Sequence, residues 1–123
     1  MAYNMGSDNY SSSLTGIKNA LLPIFVLSLL KIRPMYVSEM VSIMERESGG
    51  TFTTAYPYDV IFRLTENEYM IPEKKRQVDG RRRQLYTISD EGREYLEEIK
   101  KEYQDYLDGI DRIWDYIKSA KSE

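Results

Sequence analysis

"YMIPEKKRQVDGRRRQLYTIS", residues 69–89, holds two short strand-like runs on either side of Asp79-Gly80. Asp-Gly between such runs is one of the stronger hairpin signals, because both residues tolerate the positive φ of a tight turn. Pro72 and the charges that follow it mark the first run as a sheet edge, since proline cannot donate to a ladder. The turn leads straight into Arg81, Arg82 and Arg83, in a chain whose net charge is −3.

Downstream, Ser89 is placed to cap a helix, with Asp90 and Glu91 in the first turn where the helix dipole favours anions. Leu96, Ile99, Tyr103, Tyr106, Ile110, Ile113 and Ile117 then follow in alternating steps of three and four, a heptad seam. Leu107 and Trp114 widen that stripe. Such a seam predicts a helix that packs on a second copy of itself as well as on its own chain.

Upstream, the spacing predicts three helices. The first starts at Leu14 or Asn19 and runs to about Lys31, before Arg33-Pro34 breaks it. The second covers Tyr36 to Glu47, with Val37, Met40, Val41 and Met44 as its inward stripe and Ser48-Gly49-Gly50 as its stop. The third turns Val60, Ile61 and Leu64 inward and fades near Asn67, with Thr54 as its expected N-cap and Pro57 near its first turn.

Helix, helix, helix, hairpin, helix is the order of a winged helix-turn-helix. The expected fold class is mainly α with a small β-hairpin: a winged helix-turn-helix plus a long C-terminal dimerisation helix. In that architecture the third helix enters the major groove and the hairpin wing lies on the backbone or in the minor groove. The domain reading is a flexible arm over 1–13, a winged domain over 14–88 and the dimerisation helix over 89–123.

Charge is distributed to match. Residues 1–62 carry four Lys/Arg against five Asp/Glu, residues 63–86 seven against four, and residues 87–123 six against eleven. The net +3 segment is the one expected to face DNA, where each neutralised phosphate releases counterions. The rival reading of the same cations is a solvated strand edge protected from aggregation.

The chain has no cysteine and no histidine, which removes thiolate and imidazole metal sites, the commonest acid/base group and the thiol nucleophile. The reading is therefore a non-enzyme with no metal and no cofactor. The longest apolar run, Ala20 to Leu30, is about half of what spans a bilayer. No membrane association is expected, and the expected location is the cytoplasm.

Three stretches resemble the PadR-type bacterial and archaeal transcriptional regulators. "RPMYVSEM" (33–40) is similar to the start of that family's second helix, "YDVIFRLTENEYMI" (58–71) to its recognition helix, and "DGRRRQLYTISDEGREYL" (79–96) to its wing and last helix. Anchored on Arg63-Leu64, Tyr58 takes the place of the family's tyrosine and Tyr56 that of its threonine. Ala55 and Glu68 stand where the family has glycine, and Leu85 where it has the first tyrosine of the wing pair.

The expected partners are double-stranded DNA and a second copy of the chain. The DNA-contacting set is Tyr36, Thr53, Thr54, Tyr56, Tyr58, Arg63, Lys74, Lys75, Arg76, Arg81, Arg82 and Arg83. Strand alternation means that the three wing arginines cannot all face DNA. Tyr36 either reaches a phosphate, as the resemblance implies, or packs beneath the third helix; Arg63 either reaches a phosphate or pairs with Glu66. The dimer interface is the heptad seam from Leu96 to Ile117. The resemblance also implies a small aromatic effector near that interface, with Tyr103, Tyr106 and Trp114 as its contacts. The expected function is a sequence-specific transcriptional repressor acting as a homodimer. The alternatives are a winged-helix protein adaptor without DNA binding, and a ligand sensor with an aromatic site at the dimer interface.

Overall fold

Among residues 5–54 and 57–122, which the computed structural model describes, helices and short strands follow one another in the expected order. They are α1 (Met5–Ile32), β1 (Met35–Tyr36), α2 (Val37–Glu47), α3 (Tyr58–Glu66), β2 (Met70–Pro72), β3 (Arg76–Val78), β4 (Arg81–Arg83), β5 (Leu85–Ile88) and α4 (Asp90–Ser122). The mainly α winged helix-turn-helix with a long last helix is the observed architecture.

α1 begins at Met5, earlier than either expected start, so most of the stretch read as an arm continues the helix. Once the apolar segment is helical, each added residue gains a bond without a new nucleation cost, whatever its propensity. Residues 1–4 of that arm lie outside the described residues. Pro23 sits well inside α1, where it cannot donate to the carbonyl four residues back.

α2 starts one residue later than expected. Tyr36 instead ends β1, and its backbone N–H donates to Glu39 Oε1 at 2.9 Å, which ties down the helix start. At the other end Gly49 (φ 65°) and Gly50 (φ 85°) take the left-handed conformation, and the Gly50 N–H reaches back to the Glu45 carbonyl at 2.8 Å.

Thr54 does not cap α3. The helix starts at Tyr58, and the Pro57 carbonyl accepts its first bond from Ile61 N–H at 3.0 Å. Proline disfavours helical geometry in the residue before it, so Pro57 sets the boundary that Thr54 was expected to set. α3 then ends at Asn67 as its pattern predicts, and Glu68 makes the exit turn at φ 62°. That left-handed position is where PadR-type sequences carry glycine, and Glu68 occupies it with a strained backbone.

The hairpin is more divided than the sequence suggests. β5 is the centre of a three-stranded antiparallel sheet between β1 and β2, with Met35 opposite Tyr86 and Met70 opposite Ile88. β3 and β4 form a separate two-stranded ribbon. Glu73, Lys74 and Lys75 therefore link two ladders, and neither lysine lies on the wing strand where both were expected. Pro72 has no N–H to donate, and the last bond of this ladder is made one residue on, where the Glu73 N–H donates to the Leu85 carbonyl at 2.7 Å.

The core collects the inward face of every helix: Leu22, Val26, Leu27 and Leu30 from α1, Met40 and Met44 from α2, Val60, Ile61 and Leu64 from α3, and Leu96 from α4. Met35 and Met70 seal it from the sheet. Leu96, expected in the dimer seam, is 0% exposed within its own chain. α4 packs on α1, and Leu96 joins the buried cluster, so the seam's N-terminal end serves the monomer core. Ile99 is half-buried against the same core.

The start of α4 is locked by Ser89. Its hydroxyl accepts the Gly92 N–H at 2.9 Å, the N-cap bond expected of it, and donates to the Glu68 carbonyl at 2.6 Å. Its own N–H donates to the Tyr69 carbonyl at 3.1 Å. Gly92 lies so close beneath that strand start that an added Cβ would sit 2.0 Å from Tyr69 O and 2.9 Å from Ile88 Cγ1. Neither the carbonyl nor the helix can yield without breaking the cap. Gly92→Ala is expected to lower the stability of the chain by about 2–4 kcal/mol in urea denaturation. A loss under about 0.5 kcal/mol would mean that α4 can shift off the sheet without cost.

Candidate nucleic-acid interface

The wing turn has the geometry its sequence predicts. Asp79 (φ 52°) and Gly80 (φ 75°) are both left-handed, the type I′ arrangement that suits the twist of a two-residue hairpin. Val78 pairs with Arg81, Gln77 with Arg82 and Arg76 with Arg83.

The three arginines differ in their surroundings. Arg81 and Arg82 are exposed at the tip and, as strand neighbours, point to opposite faces. Arg83 is half-buried and turned onto the body, where Nη1 donates to Ser38 Oγ in the first turn of α2 at 3.2 Å. Its Nε is buried with no hydrogen-bond partner among the described residues. Arg83 thus couples wing to α2 across 45 positions of sequence. Ser38 carried no signal in the sequence, because a serine in a helix start next to Tyr36 reads as solvated surface.

Tyr36 is half-buried between β1 and α2 and pairs with Leu85 across the sheet. Thr53 is exposed and its carbonyl accepts from Lys18 Nζ at 2.9 Å; Thr54 is half-buried; Tyr56 lies outside the described residues. Tyr58 stands 69% exposed in the first turn of α3. Lys74 and Lys75 are exposed in the link before the wing, and Arg76 lies in β3.

Arg63 makes no ion pair with Glu66. It lines a cleft of about 440 Å³ with Asn67, Tyr69 and Tyr95, between α1, α3 and the start of α4. There Tyr69 and Tyr95 stack with centroids 4.1 Å apart and planes 8° from parallel. Burial pushes the Tyr95 hydroxyl above its ordinary range, an effect that Arg63 nearby opposes in part. The two ends of α3 therefore differ: Tyr58 faces out, while Arg63 sits at the edge toward α4.

Beyond Ile99 the seam of α4 is uncovered. Tyr103, Tyr106, Ile110, Ile113, Trp114 and Ile117 are all exposed in the single chain. Tyr103 and Tyr106 line a groove of about 230 Å³ with Ala20, Pro23 and Ile24 of α1. Trp114 is not part of it. At 1.5 Å per residue it lies about 12 Å along the helix from Tyr106, so one chain does not bring the three expected effector contacts together.

Comparison with known families matches residues 26–98 to the "Transcriptional regulator PadR-like family". Comparison with curated protein sequences gives no match. Among solved structures, a PadR family transcriptional regulator from Eggerthella lenta superposes with a TM-score of 0.73 at 22% identity, over 87% of this chain and 93% of that one. A transcriptional regulator from Clostridium thermocellum gives 0.72 at 20%, over 79% and 96%. PadR of Bacillus subtilis, solved with operator DNA, gives 0.56 at 20%, over 63% and 45%. The family match itself spans α2, α3, the wing and the start of α4, and the solved structures share the fold.

If the Arg83–Ser38 bond holds the wing, removing either partner should loosen the same amides. Ser38→Ala and Arg83→Ala are each expected to speed hydrogen exchange in Arg76–Arg83 by about 3- to 10-fold, with little further change in the double variant. Additive effects would show that the two side chains act separately.

Proposed function

The chain belongs to the PadR-like family of transcriptional regulators, and from that premise we propose that it binds operator DNA sequence-specifically as a homodimer and represses transcription in the cytoplasm. The observation that carries this reading is the type I′ wing, which holds Arg81 and Arg82 in solvent at its tip while Arg83 anchors it to the start of α2. α3 enters the major groove and the wing tip lies against the flanking backbone or minor groove. The strongly acidic α4 stays away from the phosphates, so the net charge of −3 does not oppose the approach.

Residues 14–88 form the DNA-binding unit and α4 the dimer element. The exposed stripe from Tyr103 to Ile117 is the surface through which two copies pair, and two-fold pairing presents two α3 helices to successive major grooves. Lys74, Lys75 and Arg76 add backbone attraction next to the wing, with Tyr36, Thr53, Thr54, Tyr56 and Tyr58 near the helix starts. Arg81→Ala combined with Arg82→Ala is expected to weaken binding and to flatten the plot of log affinity against log salt by about one unit for each phosphate no longer neutralised, with dimer mass unchanged. An unchanged slope and affinity would count against a wing that touches DNA.

The groove between α1 and α4 favours a second reading in which a small aromatic effector tunes the dimer, with Tyr103 and Tyr106 as its walls. Such a compound is expected to raise the melting temperature of the wild-type chain and to leave Tyr103→Ala unaffected; flat melting curves across a set of aromatic compounds would sink this reading.

A further inference from the structure

α3 turns Val60, Ile61 and Leu64 into the core. At about 100° per residue, the arc opposite them is centred between Phe62 and Glu66, with Tyr58 and Asp59 alongside. Phe62 is 64% exposed there, and Asp59 and Glu66 are exposed too. The one cation of this helix, Arg63, lies at the edge of the arc, in the cleft with Tyr95. The centre of the face therefore offers an aromatic ring and two carboxylates, and no arginine or lysine.

Base edges in the major groove differ in what such a face can meet. Guanine presents the acceptors N7 and O6, which call for a cationic or amide donor. Thymine presents a C5 methyl group, which an apolar ring covers well, and cytosine presents an amino group that a carboxylate can accept from. Attraction to phosphate is supplied by Lys74, Lys75, Arg81 and Arg82, all exposed outside α3. That division leaves α3 to discriminate among bases and not to add charge.

Resting on the DNA-binding reading above, we infer that Phe62 is the specificity-determining residue of this chain and reads a thymine methyl group in each half-site. Asp59, one turn back on the same face, favours a cytosine amino group beside that thymine. Guanine directly beneath Phe62 and Asp59 is disfavoured, because its acceptors meet a ring and a carboxylate.

The test begins with DNA selected by the wild-type dimer from a random library at low salt. Each thymine of a selected half-site is then replaced singly by deoxyuridine, which removes only the C5 methyl. The wild type is expected to lose affinity at one or two positions by about 4-fold, the worth of one buried methyl. Phe62→Ala, at an exposed position and so expected to keep the wild-type circular dichroism and melting temperature, binds the thymine site more weakly and no longer distinguishes it from the deoxyuridine site. Phe62→Leu restores part of the discrimination. Wild-type binding that is indifferent to every replacement overturns the inference and leaves the DNA-binding reading intact, as does methyl sensitivity retained by Phe62→Ala. Failure to select any DNA removes both.

Discussion

The close contact of Gly92 beneath the Tyr69 carbonyl is the constraint on which the rest of the arrangement depends. It allows Ser89 to join three elements: the exit of α3 at Glu68, Tyr69 just before β2 and the first turn of α4. The recognition helix, the sheet that carries the wing and the long helix are thereby fixed in one frame. A larger residue at Gly92 would push α4 away and take the Ser89 bond with it. The left-handed turn at Glu68 belongs to the same frame, since it points the Glu68 carbonyl at the Ser89 hydroxyl.

From that frame the charges take their places. The wing is held twice, by its own ladder and by Arg83 on Ser38, and the cations left in solvent are concentrated at its tip and in the link before it. α4 carries half of the acidic residues along its length. A phosphate backbone approaching the wing meets the local positive charge, and acids farther from it than a Debye length of about 8–10 Å are largely screened. The sum over the chain hides this, because it averages two regions that act separately.

α4 also shows how one periodic pattern can serve two tasks. Its seam is continuous in sequence, yet Leu96 and Ile99 belong to the monomer core while the apolar residues from Tyr103 to Ile117 are bare. The division falls between Ile99 and Tyr103, beyond which Tyr103 and Tyr106 face α1 only across an open groove. Hydrophobic spacing states only that a face must be buried, and is silent on whether the cover comes from the same chain or another.

The sequence by itself determined the order of the helices and the hairpin, the type I′ wing turn at Asp79-Gly80, the Ser89 cap and the buried faces of α2 and α3. Each of these is local, set by backbone preferences or by spacing within one element. Tertiary structure alone decided the rest. β1 is two residues long and exists only because β5 lies beside it. The start of α3 at Pro57 and not Thr54 is instead local, through the restriction proline imposes on its neighbour, which competes with capping and won here. Lys74 and Lys75 left the wing because the hairpin splits into two ladders. Arg83 separated from Arg81 and Arg82 because Ser38, distant in sequence, stands within its reach. Three identical side chains in a row carry no such distinction, and it arises only when a second element supplies the partner.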